Sequence, residues 1–182
     1  MNGYHRTSEG STRHALEMRT IRDVMKSEKT YYQVNQPEPV PMTRSGVGGC
    51  FGCSPSNDLG LQLQFTQYGD GTIEARHQTA QHHCGFDTVI HGGIQATLLD
   101  EVMGVAAQRS LPSDGSDLAC ATAEMHLEYL RPAFLANEVI CRAWVTEIDG
   151  RDIYVEGALL SADAAPSTKA TSRWRQMRYE PT

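Results

Sequence analysis

No stretch of this sequence approaches the roughly 18 consecutive apolar residues that a membrane-spanning helix needs. The first residues (Asn2, His5, Arg6, Ser8, Glu9) lack the apolar core of a secretory leader, so a cytoplasmic protein without membrane attachment is expected. Cysteine is sparse. The five present (Cys50, Cys53, Cys84, Cys120, Cys141) are odd in number and too few for a disulfide framework. Basic residues are in deficit, 16 against 22 acidic, for a formal net charge of -6. A nucleic-acid binder would normally carry a basic excess, so no nucleic-acid partner is expected. An anionic substrate stays open, because a few local arginines can hold phosphates. Internal repeats are absent as well.

What is present is an ordinary globular balance, 40% hydrophobic and 21% charged over 182 residues. That length suits one domain of about 100–150 residues with an extension. Residues 1–12 are polar and expected to be disordered. From Arg13 to Lys29 the chain lacks Pro and Gly and sets Met18, Ile21 and Met25 on one side, which predicts a moderately amphipathic helix. A loop punctuated by Pro37, Pro39, Pro41, Gly46, Gly48 and Gly49 follows. It divides the chain into an extension over 1–45 and a domain over 46–182.

Leu61 to Phe65 alternates apolar and polar residues, the mark of a half-buried strand, and Gly69-Asp70-Gly71 turns it back into a second strand over Thr72–Thr79. From Gly93 to Arg109 the period changes. Ile94, Leu98, Leu99, Val102, Met103, Val105 and Ala106 cover most of a helix circumference, so that helix should be buried nearly all round. Four more strands are predicted: Ala121–Tyr129, Glu138–Ile148, Ile153–Leu160 and Thr168–Met177. One long apolar helix among antiparallel strands implies an α+β fold with the sheet curled around the helix.

The segment Val89-Ile90-His91-Gly92-Gly93 runs straight into that helix. Glycines at a helix start let backbone approach a ligand, and the first N–H groups there have no intrahelical partner. Such a terminus can hold a developing oxyanion. Two turns further on, Asp100 and Glu101 sit among Leu98, Leu99, Val102 and Met103, where a carboxylate is costly to bury without a partner or a role. A helix emerging at the surface would explain them equally well. Both acids have Thr97 and Gly104 as helical neighbours, so spacing does not separate them.

His91-Gly-Gly-Ile-Gln-Ala-Thr-Leu-Leu-Asp100-Glu101 resembles the signature of hotdog-fold thioesterases of the PaaI-like, phenylacetate-pathway type. Thr122-Ala-Glu-Met-His-Leu-Glu-Tyr-Leu-Arg131-Pro132 resembles the next strand of that family. Cys50-Phe-Gly-Cys53-Ser-Pro-Ser-Asn57-Asp-Leu-Gly60-Leu61 resembles the lead into its first strand, and Gly150-Arg151 a recurrent turn. The blocks span about residues 46–178 in order; the extension is not covered. The resemblance implies a six-stranded antiparallel sheet around the central helix, and acyl-CoA hydrolysis in a homodimer, often paired into tetramers, with its sites at the interface. It selects Asp100 over Glu101 as the catalytic carboxylate, acting as nucleophile or as general base. It makes the Gly92 N–H the oxyanion donor, has His91 shape that end, and takes Thr122 from the other subunit. Gly93 would also contact substrate. The sequence departs from the family in the loop before the histidine, where some relatives carry an amide against the thioester; here it reads His82-His83-Cys84, and His83 is the substitute. Ser54 stands where the family usually has glycine.

Cys50-x-x-Cys53 with His82, His83 and Cys84 has the composition of a zinc site. The sequence reading takes the cysteines as small apolar residues packing a loop, and expects neither metal nor cofactor. A redox pair is disfavoured, because no thioredoxin-like βαβ pattern surrounds them. Arg131 and Arg151 are candidates for holding coenzyme A phosphates. His126, Trp144 and Trp174 are assigned to surface or packing. A hotdog dehydratase would need a differently spaced His–acid pair than this chain has. A non-catalytic acyl-CoA-binding protein is the alternative on the same scaffold.

Overall fold

The strongest periodic signal lies after Gly92, and there a computed structural model places one 18-residue helix, α1 (Gly92–Arg109). The structure describes residues 37–40, 49–112, 118–135, 137–161 and 164–178; the helix expected over Arg13–Lys29 lies outside them. Within α1 only Gly93 and Arg109 are exposed, as its all-round apolar pattern implies. Leu98, Leu99, Val102 and Met103 are each 0% exposed. At about 1.5–3 kcal/mol per buried side chain, these four residues anchor the domain core. No helix among the described residues is long and apolar enough to cross a membrane.

Seven strands form one antiparallel sheet: β1 (Pro37–Pro39), β2 (Phe65–Tyr68), β3 (Ile73–Gln78), β6 (Leu118–Tyr129), β7 (Glu138–Asp149), β8 (Asp152–Leu160) and β9 (Pro166–Arg178). Their order across the sheet is β1-β2-β3-β7-β8-β9-β6. A separate ribbon pairs β4 (Cys84–Phe86) with β5 (Val89–Ile90) just before α1. The helix packs against β3, β6, β7, β8 and β9, so the sheet curls around it in the hotdog arrangement.

Two details differ from expectation. Among the described residues the sheet has seven strands rather than six, because Pro37–Pro39 pairs antiparallel with Tyr68–Thr66 instead of remaining loop. Proline cannot donate to a ladder but is tolerated on an edge, and β1 is an edge. The strand expected from Leu61 begins only at Phe65. Leu61 and Leu63 are buried as their alternation implies, yet their N–H groups donate to the carbonyls of Phe51 and Gly52. Gln62 has φ +48, which takes this stretch out of regular strand.

On the sheet face away from α1, Glu74 of β3 lies opposite Arg142 of β7. Arg142 Nε donates to Glu74 Oε2 at 2.8 Å, with both side chains almost wholly buried. Glu74 Oε1 also accepts from Tyr68 Oη and Arg76 Nε. On the helix face, Trp174 packs close against Gly104, where a Cβ would lie 2.8 Å from the indole ring.

Candidate active site

The start of α1 is held by a short set of backbone bonds. His91 N–H donates to the His83 carbonyl and Ile90 N–H to the Ala133 carbonyl. A Cβ on Gly85 would come within 2.7 Å of His91 Cα, so only glycine lets β4 lie this close. Buried Gln95 donates to the Ile90 carbonyl and accepts from the Thr168 hydroxyl, tying the segment to β9. The sequence marks Gln95 only as a polar residue on an apolar helix face, one turn after His91.

His91 is the N-cap of α1, and its Nδ1 accepts the Gly93 N–H at 2.9 Å. A ring that accepts at Nδ1 carries its proton, when neutral, at Nε2. The bond occupies the Gly93 N–H, leaving that group unavailable to a ligand while it lasts. Gly92 N–H has no acceptor among the described residues, as expected for the first residue of a helix. Gly92 lines a cleft of about 580 Å³, together with Phe86, Val89, His91, Tyr129 and Arg131 among others. Tyr129, which the sequence reading treated only as a strand residue, donates its hydroxyl to the Gly92 carbonyl at 3.0 Å.

Asp100 lies outside the lining of this cleft, half-buried further along α1. Its Oδ1 accepts the Thr122 hydroxyl at 2.9 Å, within one chain. Thr122 therefore need not come from another subunit. Strict alternation would put Thr122 on the opposite face of β6 from Met125, Leu127 and Tyr129. A bulge between Thr122 and Glu124 inserts one residue and turns Thr122 toward α1.

Other candidates fall elsewhere. His83 is buried, its Nδ1 accepts the Ala80 N–H, and its ring lies against His77 and His82. Its backbone carbonyl accepts the His91 N–H, and His83 is not among the residues lining the cleft. Arg131 lines the cleft, but its guanidinium donates to the carbonyls of Ala165 and Pro166, so it braces a turn. Arg151 is exposed at the β7–β8 turn, away from the cleft of its own chain. His82, His83 and Cys84 do not join the cysteine pair; Cys84 Sγ instead donates to the Asp87 carbonyl. Glu101 does join it. Burial, the contact with Cys50 and the Glu101 charge hold the Cys53 thiol above the usual thiol range.

Burial and the neighbouring rings hold His77 and His83 below the ordinary value of 6.5. His77 Nε2 is buried with no partner among the described residues. A histidine depressed in the fold takes its proton more readily when unfolded, so stability is lost as pH falls below 6.5 toward the folded values. The thermal midpoint is expected to drop between pH 7 and 5.5, and His77→Gln to shrink that drop. An unchanged pH slope in the variant would remove His77 from the account.

The thioesterase superfamily model matches residues 87–165. A protein of Halobacterium salinarum, provisionally described as an esterase, is 32% identical over 121 residues, covering 63% of this chain and 78% of its own. A solved thioesterase superfamily protein, RHA08564, superposes with a TM-score of 0.61 at 26% identity, over 66% of this chain and 57% of its own. The BH2602 protein of Bacillus halodurans, crystallised with CoA, gives 0.52 at 27% identity, over 57% and 66% respectively.

Proposed function

The chain belongs to the thioesterase superfamily and has the hotdog fold, and we propose that it is a PaaI-like member that hydrolyses an acyl-CoA to a carboxylic acid and CoA in sites shared by two copies of the chain. One observation carries the shared site. Gly92 and Asp100 stand eight residues apart on α1, roughly 12 Å at about 1.5 Å per residue. A thioester carbonyl about 3 Å from a donor and about 3 Å from its attacking group cannot bridge that gap within one helix.

The β6 edge supplies the remedy. It is 12 residues long, ends the sheet, and is exposed along much of its length. A long open edge is a template for pairing with another chain. Antiparallel self-pairing about a two-fold axis near Met125–His126 would set Tyr129 of one copy beside Thr122 of the other. Tyr129 marks its own Gly92 and Thr122 its own Asp100. The Gly92 N–H of each copy then faces the partner's Asp100.

In that arrangement Gly92 N–H polarises the thioester carbonyl and stabilises the oxyanion. The partner's Asp100, oriented by Thr122, attacks the carbonyl carbon or takes a proton from an attacking water. Either route expels CoA as thiolate and consumes one water. Label found in Asp100 after single-turnover hydrolysis in heavy-oxygen water identifies direct attack, because it enters there only when water opens an Asp100 anhydride at the Asp100 carbonyl. His91 shapes the cleft mouth, and the hydrolase domain spans residues 46–182, with the 1–45 extension lending it the edge strand β1. The CoA in the Bacillus halodurans neighbour supports a CoA-type ligand, for which exposed Arg151 is a candidate phosphate contact.

The test is thiol release from a panel of short, long and aromatic acyl-CoAs, alongside sedimentation of the active species. Turnover by a dimer or tetramer is expected. An active monomer would sink the shared site. Acyl-CoA binding without turnover across the panel would move the protein to the non-catalytic role.

A further inference from the structure

The Cys50–Cys53 segment folds against α1 one residue beyond Asp100, and the hydrolase reading makes no use of it. Cys53 Sγ lies 3.0 Å from Cys50 Sγ, and Cys50 Sγ lies 3.7 Å from Glu101 Oε1. One ligand atom from each of these residues falls within 4.8 Å of the other two, and all three residues are half-buried. We propose that Cys50, Cys53 and Glu101 bind a thiophilic divalent cation of the zinc class, with a fourth position left for water or a small anion.

The distances suit such an ion. Metal–sulfur bonds of about 2.3 Å and metal–oxygen bonds of about 2.1 Å at a tetrahedral centre imply S···O near 3.6 Å and S···S near 3.8 Å. The separation of Cys50 Sγ from the carboxylate is already there, and that of Cys53 Sγ lies within 4.8 Å. The sulfurs need to part by less than about 1 Å, within reach of small χ1 rotations. Two sulfurs select a soft or borderline ion over magnesium or calcium, which take oxygen ligands.

The surrounding backbone presents these donors. Ser54 N–H returns to the Cys50 carbonyl, Leu61 and Leu63 N–H groups close onto Phe51 and Gly52, and Asn57 Nδ2 donates to the Gly49 carbonyl. Gly52 leaves the space in which the carboxylate reaches the thiols, since a Cβ there would sit 2.1 Å from Glu101 Cδ. Cys50 and Cys53 come from a loop and Glu101 from α1, so the ion clips that loop to the helix beside Asp100. Binding displaces two thiol protons and brings two thiolates and a carboxylate, mutually repelling when ionised, around one dication.

The test is titration of the chelator-stripped, full-length protein with Co²⁺, then Zn²⁺, under a phosphine reductant. One equivalent of Co²⁺ per chain should raise a thiolate-to-cobalt charge-transfer band, and Zn²⁺ should displace it. Cys50→Ser and Cys53→Ser should each lose the band, whereas Cys84→Ser should keep it. Glu101→Gln preserves shape and should weaken Co²⁺ binding by about tenfold or more, with circular dichroism checking the fold of each variant. The proposal is overturned by absence of the band in the wild-type protein, by its survival in either cysteine variant, or by unchanged affinity in Glu101→Gln. A Cys50–Cys53 disulfide that persists in reductant overturns it too. None of these readouts depends on thioester hydrolysis, so the two readings fail separately.

Discussion

Asp100→Asn is expected to lower kcat for acyl-CoA hydrolysis by about 10²–10⁴-fold, the range that loss of a positioned acid–base group covers. The substitution is nearly isosteric, and an amide oxygen can still accept the Thr122 hydroxyl, so folding and dimerisation should survive. The companion variant is Gly92→Pro. Proline fits the first helical position, where its missing N–H breaks no helix bond. The preceding His91 already has φ -55 and ψ 134, the extended conformation that a following proline prefers. Gly92→Pro thus deletes the proposed oxyanion donor without disturbing the helix. Each variant alone should be nearly inactive. Mixed and allowed to exchange subunits, half the dimers become heterodimers, each with one intact site if the donor and the carboxylate come from different chains. Activity should then recover to about a quarter of wild type. Mixtures that stay inactive despite demonstrated exchange would mean that both groups serve within one chain.

The largest expected loss of stability comes from the buried pair on the far face of the sheet. Arg142→Met leaves the Glu74 carboxylate 3% exposed and without its 2.8 Å partner, at a cost of about 3–5 kcal/mol. For a domain of this size that corresponds to a fall of roughly 10 °C in the thermal midpoint. Cys141 reports on the same site, because burial first and the Glu74 charge second push its thiol up to about 12. Joining Glu74→Leu to Arg142→Met should recover most of the loss, since two apolar side chains carry no desolvation penalty. Urea unfolding of the single and double variants measures both terms. A mild effect in Arg142→Met would show that Tyr68 and Arg76 suffice to hold the carboxylate.

Local chemistry explains what could be read in advance. The apolar pattern of α1 needed no tertiary information, because burial on every side leaves an unbroken periodic trace; the strands β7, β8 and β9 were legible for the same reason. The alternation of Leu61, Leu63 and Phe65 reported burial correctly but not hydrogen bonding, since a side-chain pattern does not say which backbone lies alongside. The prolines of β1 looked like loop because an edge strand tolerates what an inner strand would not.

The helix start was visible as His91-Gly92-Gly93, and the sequence by itself established a buried helix opening on an unpaired backbone donor. It left two carboxylates equal, and only family spacing preferred Asp100. The tertiary structure decided the rest through long-range contacts that no local pattern encodes. A bulge in β6 turned Thr122 onto Asp100 of its own chain. His91 claimed the Gly93 N–H and left the Gly92 N–H open. Glu101, indistinguishable from its neighbour by spacing, turned toward the cysteine loop because Gly52 leaves room for it there. The rigid rise of one helix keeps Gly92 and Asp100 too far apart to share a carbonyl, and that distance is why the proposed site needs a second chain.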